Sequence, residues 1–220
     1  MKKSFFLYFA LGVALLSACV KAAKPEPVGD VFIRAVNTVK GSNPQDFYQG
    51  PVKKSTSPIS YGGTTGYLTL PSGPYQFAFA DPGSSTANGA SPYVNITIGT
   101  TATVFYARNL DSITVAYIFQ DDVAPASIAG KAKVRFIHLN YYLYNSINVL
   151  NGETALLTGI PFAIASKYIE VDPGTKFTVT GTGVTTAPVI DGNLQANKNY
   201  TIWIDGTSAK ELTGHVLSSN

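Results

Sequence analysis

One spacing occurs twice in this chain, and it constrains the fold more than any other feature. Arg34 sits inside the apolar run Val31-Phe32-Ile33-Arg34-Ala35-Val36, and Gly73 follows 39 residues later in the turn Leu70-Pro71-Ser72-Gly73. Arg135 sits inside Ala132-Lys133-Val134-Arg135-Phe136-Ile137-His138, and Gly174 follows, again 39 residues later, in Val171-Asp172-Pro173-Gly174. After each turn comes an aromatic-bearing run, Tyr75-Gln76-Phe77 in one copy and Lys176-Phe177 in the other. A third anchor lays residues 101–106 over 198–203, with four fewer residues intervening in the second copy, which puts Tyr106 and Trp203 at matching positions. Three anchors in the same order describe one structural unit written twice.

That unit is built of strands. Short runs of β-branched and aromatic residues alternate with polar ones and are bounded by Gly, Pro, Asn and Ser clusters. Strands are expected at 31–36, 65–70, 75–80, 93–98, 101–107 and 113–119, and again at 133–139, 146–150, 166–171, 176–180, 188–194, 200–204 and 211–217. No segment keeps an amphipathic helical period over three turns. About seven short strands per copy fit two facing sheets. The expected fold class is all-β: two tandem antiparallel β-sandwich (immunoglobulin-like) domains, at 30–122 and 131–220, joined by a linker at 123–130. The chain has one cysteine, so the disulfide of antibody domains is missing and each core must rest on apolar burial.

The N-terminus carries an address. Lys2 and Lys3 precede an uncharged apolar run to Leu16, which is shorter than the ~20 residues a spanning helix needs. Leu16-Ser17-Ala18-Cys19 resembles the lipobox of bacterial lipoproteins at every position. That resemblance implies a signal peptide at 1–18, a diacylglyceryl thioether on Cys19 and a lipidated tether at 19–29, where Pro25 and Pro27 argue against regular structure. Val20 stands where enteric bacteria place an inner-membrane retention Asp, which favours the outer membrane, facing either the periplasm or the exterior. Once Lys2 and Lys3 leave, 14 basic residues face 13 acidic ones. Such a balance gives no electrostatic footprint for nucleic acid.

Several motifs carry a family likeness. Arg135-Phe136-Ile137-His138-Leu139, the Asp172-Pro173-Gly174 turn and Asn199-Tyr200-Thr201-Ile202-Trp203 resemble the domain-of-unknown-function 4397 family, whose members open on an Arg-containing strand, turn on Pro-Gly and close on a Tyr-Thr strand. The second copy carries the likeness over nearly its whole length. The first lacks the Tyr-Thr pair and carries an insert at 83–91. The resemblance implies secreted bacterial proteins and lipoproteins, often in tandem, and it brings no catalytic residues.

Chemistry-bearing residues are sparse. His138 stands where the first copy has Asn37, an exchange that suggests a shared hydrogen-bonding task at a strand end, and His215 is expected to be solvated near the C-terminal edge. Asp121-Asp122 read as a solvated linker, without the further ligands of a calcium loop. Asp205-Gly206 reads as a hairpin turn. Tyr61-Gly62-Gly63-Thr64-Thr65-Gly66 and Gly181-Thr182-Gly183 open no helix and read as turns rather than phosphate loops. No catalytic residue, metal or cofactor is expected. The aromatic excess is the sharper signal: Tyr141, Tyr142 and Tyr144 follow the first strand of copy two and either close the seam between the copies or contact a ligand. Tyr106 and Trp203 are expected to point away from the core, either packing across strands on the surface or serving as further contacts. The expected function is a non-catalytic cell-envelope lipoprotein that binds a glycan or an envelope protein. The alternatives are a structural subunit of a surface assembly or an unfamiliar hydrolase.

Overall fold

The computed structural model describes residues 27–219, and Cys19 with its leader lies outside the described residues. Among the described residues every regular element is a strand. The first module runs through β1 (Asp30–Asn37), β2 (Asp46–Gln49), β3 (Val52–Lys53), β4 (Thr64–Pro71), β5 (Gly73–Tyr75), β6 (Phe77–Ala80), β7 (Gly89–Ala90), β8 (Val94–Ile96), β9 (Thr101–Arg108) and β10 (Thr114–Gln120). The second runs through β11 (Ala132–His138), β12 (Ile147–Asn151), β13 (Thr154–Ile160), β14 (Ile169–Val171), β15 (Lys176–Gly181), β16 (Val189–Asp191), β17 (Asn199–Ser208) and β18 (Glu211–Ser218).

The chain is two tandem β-sandwiches. In the first module the sheet β10-β9-β1-β4 faces β3-β2-β6-β7, and β5 pairs with β8 beside them. In the second, β14-β11-β17-β18 faces β13-β12-β15-β16. Alternation places the cores. Phe47, Phe77 and Phe79 meet Ile33 and Val104 in one, and Phe177, Val179, Ile147 and Val149 meet Phe136 and Ile202 in the other.

The ladders differ from expectation at one pair per module. β1 lies parallel to β9, with Arg34 opposite Thr103, and β11 lies parallel to β17, with Arg135 opposite Thr201. The chain leaves β1 for the facing sheet and returns in the same direction, a crossover no tight hairpin can make. This register also corrects the repeat. With Arg34 equivalent to Arg135, Thr103 becomes equivalent to Thr201, Phe105 to Trp203 and Tyr106 to Ile204. The overlay of 101–106 on 198–203 is one residue out, and in a strand one residue reverses the face.

Smaller departures have local causes. The strand expected at 75–80 breaks at Gln76, so that Gly73–Tyr75 pairs with β8 and Phe77–Ala80 with β2. β2, β3, β7 and β13 fall outside the expected strands. They are short, or, as in Thr154–Ile160, they lie at a sheet edge where burial does not enforce alternation. Asp205-Gly206 is not a hairpin turn. It lies within β17, at a shift in the pairing with β18. A Cβ at Gly206 would stand 2.1 Å from the Glu211 carbonyl oxygen and 2.6 Å from Asn140 Nδ2, so glycine is required there for close approach.

Candidate functional site

β9, β11 and β17, and β1 from Ile33 onward, are buried on both faces over most of their length. Their outer faces meet in a third apolar cluster that holds Val36, Phe105 and Ala107 from the first module against Ile137, Leu139, Trp203 and Leu217 from the second. Equivalent residues touch each other across this seam. Phe105 and Trp203, equivalent by register, meet ring to ring at 6.1 Å. Tyr61 packs edge-on against His215 at 5.6 Å, and their counterparts Phe162 and Tyr117 pack edge-on at 6.3 Å with the modules exchanged. Reciprocity of this kind is the mark of a two-fold arrangement, here between two halves of one chain.

The repeated arginines tie the seam at its polar end. Arg34 donates from Nε to Thr103 Oγ1 at 3.2 Å, lies over the Tyr67 ring at 4.6 Å and crosses the seam to the Ser218 carbonyl. Arg135 donates from Nε to Thr201 Oγ1 at 3.0 Å, lies over the Tyr168 ring at 5.1 Å and crosses the other way to the Gln120 carbonyl. Gln120 and Ser218 occupy the same register position in β10 and β18. One step further the halves diverge. Arg135 forms an ion pair with Asp121, whereas Arg34 faces the Ser219 hydroxyl at 3.5 Å. Asp121 is therefore not part of a solvated linker. It is buried, and it also accepts from Thr103 Oγ1 at 2.7 Å and the Tyr67 hydroxyl at 2.8 Å. Burial, and then the charge of Asp121, pushes the Tyr67 phenol up to about 12. Asp122 points elsewhere and pairs with Lys133, whose hydrogen bond lowers its pKa.

At the other end lies a clasp that the sequence does not announce. The Tyr61 hydroxyl donates to Asp205 at 2.7 Å and stands 3.2 Å from His215 Nε2, which is 2.9 Å from the other Asp205 oxygen. The His215 ring stacks flat on Trp203 at 4.6 Å. Burial first, then Asp205, raises the Tyr61 phenol above its ordinary value. His215, expected to be solvated, is thus a seam residue.

Beside the clasp opens a cleft of about 270 Å³. Its walls are equivalent segments of both modules: Thr38, Val39, Lys40, Gly41 and Arg108 on one side, and Leu139, Tyr141, Tyr142 and Asp205-Gly206-Thr207 on the other. The tyrosine loop is held from beneath. Asn140 Oδ1 accepts from the Tyr142 backbone N–H at 3.1 Å, and its Nδ2 donates to the Ser208 carbonyl at 2.9 Å. Tyr141 and Tyr142 pack ring against ring at 4.0 Å, and the Arg108 guanidinium lies 5.7 Å over the Tyr141 ring. Burial, then the neighbouring Tyr142, pushes the Tyr141 phenol up to about 12.

Of the candidate contacts, Tyr141 and Tyr142 line this cleft, and Tyr144 is 78% exposed outside it. Trp203 and Tyr106 are not surface contacts. Trp203 faces away from its own core but is covered by the other module and is 2% exposed, whereas Tyr106, on the opposite face, is 3% exposed within the core of the first module. Cys19, the expected lipid site, lies outside the described residues. His138 is buried and does share a task with Asn37. His138 Nδ1 accepts from the backbone N–H of Asn140, as Asn37 Oδ1 accepts from Val39. Its Nε2 then donates to the Asn145 carbonyl, and burial lowers its pKa. Among the described residues no group of three or more His, Cys, Asp or Glu is placed to hold a metal ion, and no helix is long and apolar enough to cross a membrane.

Fold and site together define a class: a duplicated β-sandwich protein whose two modules meet face to face and leave an aromatic cleft on the seam. The chain belongs to the family described as "Domain of unknown function (DUF4397)", which matches residues 31–145. The match falls on the first module and the opening of the second, although the quoted motifs are fuller in the second copy. A solved structure described as "a putative cell adhesion protein from Bacteroides eggerthii DSM 20697" is similar at 10% identity, covering 89% of this chain and 97% of that one, with a TM-score of 0.19. No curated protein matches the chain.

Proposed function

We propose that this protein is a non-catalytic, lipid-anchored component of the bacterial cell envelope, held through Cys19 to the outer membrane, that binds a glycan in the cleft between its modules. The observation that carries this reading is the tyrosine pair. Tyr141 and Tyr142 lie 4.0 Å apart in a cleft of about 270 Å³, fixed from below by Asn140 and flanked by polar groups. Ligand sites combine apolar, aromatic walls with a few placed polar groups and run from about 300 Å³ upward, so this cleft stands at the small end of that range and suits a single ring rather than an extended ligand. Tyrosine offers a rigid face for a ring and a hydroxyl for its oxygens. The acid–base groups nearest the cleft, Asp205 and His215, are bonded to each other and to Tyr61, an arrangement suited to joining two modules rather than to passing a proton to a ligand.

The test is a glycan array probed with the lipid-free chain and with the double variant Tyr141→Ala/Tyr142→Ala. The wild type should retain a defined set of glycans, and the variant should lose at least tenfold in affinity while unfolding at a similar temperature. Binding that survives the double substitution would move the site elsewhere. Intact-mass analysis of native material tests the anchor, since an unmodified Cys19 thiol would remove it.

A further inference from the structure

The two walls of the cleft are equivalent in topology and opposite in chemistry. Where the second module places Tyr141 and Tyr142 after its first strand, the first places Lys40 and Gly41, and Arg108 stands where the second has Gly206. The aromatic surface thus comes from one module and the cations from the other. The carboxylate among the lining residues, Asp205, is already engaged by Tyr61 and His215. Among the described residues no carboxylate lies within ion-pair distance of Arg108 or Lys40. Arg108 uses Nη1 to hold the Ser112 carbonyl at 3.1 Å, which orients its plane while it rests over Tyr141.

On the reading of the cleft as a glycan site, we infer that its ligand is an acidic sugar, with the ring lodged on Tyr141 and Tyr142 and its carboxylate paired with Arg108. A guanidinium presents its N–H groups as a planar fork that matches a carboxylate, and such charge-assisted bonds are roughly twice as strong as neutral ones. A positioned cation with no internal carboxylate has no ion pair to break before it binds an anion. Lys40 adds a mobile second charge at the rim. A sugar that carries no charge would leave both cations merely solvated, so the cleft discriminates by charge as well as shape.

The experiment compares a uronic-acid oligosaccharide with its methyl ester, which keeps the ring and removes the charge, and with a sulfated neutral oligosaccharide. Affinities are measured by calorimetry at low salt on the lipid-free chain. The free acid should bind at least tenfold tighter than its ester. Arg108→Gln should abolish that preference, so that acid and ester bind alike, and Lys40→Gln should reduce the preference severalfold. Raising the salt should weaken the acid and spare the ester. Equal affinity for acid and ester, or a preference that persists in Arg108→Gln, would overturn the inference while leaving the cleft a glycan site. Tighter binding of the sulfated sugar than of the uronic acid would overturn the carboxylate assignment. If no form binds to a chain that remains folded, the parent reading falls as well.

Discussion

The two modules answer the same seam with different chemistry. At one end, Arg135 of the second module finds a buried carboxylate, Asp121, where its equivalent Arg34 finds a serine hydroxyl in its place. At the other, the first module sends Tyr61 to a polar partner pair, Asp205 and His215, while the second sends Phe162 to Tyr117, with Ala107 at the register position equivalent to Asp205. The ring contacts and the arginine-to-carbonyl bonds are reciprocal, and the charged and hydroxyl partners are not. A duplicated unit therefore keeps the geometry that docks its halves, each arginine reaching a backbone carbonyl of the other module, and diverges where one charge or one hydroxyl can be absorbed. The cleft sits on that divergent end, with tyrosines on one wall and cations on the other.

The comparison can be broken most forcefully at the arginines. Asp121→Ala leaves Arg135 buried without its counter-ion and should cost about 3–5 kcal/mol, whereas Ser219→Ala on the reciprocal side should cost no more than about 1 kcal/mol. Chemical denaturation measures both, and similar losses would mean that the two arginines are not in the different states described. The clasp comes next. Tyr61→Phe strips a donor from a carboxylate and should cost about 1.5–3 kcal/mol. The triple variant Tyr61→Phe/Asp205→Ala/His215→Tyr copies the apolar edge of the other side, and it should recover most of that loss. A triple variant weaker than the single one would show that the two edges are not interchangeable.

His138 and Asn37 offer a pH test. Burial lowers the His138 pKa in the folded state, so the unfolded chain binds the proton more readily. The stability His138 confers is therefore complete above its unfolded value of about 6.5 and declines as pH falls below it. His138→Asn, which installs the first module's residue, should flatten the fall in melting temperature between pH 7 and pH 5. An unchanged slope would place the acid sensitivity elsewhere. The smallest effect is a gain. Gly62 in the first module and Ala163 in the second both donate backbone N–H groups to the equivalent carbonyls of Asn37 and His138, at φ of 76° and 55°. Only glycine takes that region without steric cost, so Ala163→Gly should stabilise by up to about 1 kcal/mol, read as a modest rise in melting temperature.

Much of this architecture is legible in the residues. The Arg34 and Arg135 runs, the two proline-glycine turns and the alternating strands lead directly to two β-sandwiches. The seam is legible too, in a signal that period two alone overlooks. Val31–Val36 and Tyr200–Ile204 are apolar on both faces, the pattern of a strand buried twice. The misplaced Tyr106 shows why the rest was harder. Without the pairing register, a single residue of slip exchanges core for seam, so Phe105 rather than Tyr106 is the partner of Trp203. Asp121 and His215 read as solvated because their partners, Arg135 and Tyr61, come together only through docking of the modules. The tyrosine loop is visible as an aromatic excess, but the cations facing it are not, since Lys40 and Arg108 lie 101 and 33 residues before Tyr141 in the chain and join it only across the seam.

The reach of Arg34 to Ser218 has a consequence for how the molecule comes into being. The bond joins residues 184 positions apart, so the amino-terminal half emerges from the ribosome with a guanidinium held only by its own Thr103 and Tyr67, and the carbonyl that completes its bonding arrives with β18. Shortening the chain by its last few residues should accordingly damage the half made first, and exposure to protease while synthesis is incomplete should fall hardest there.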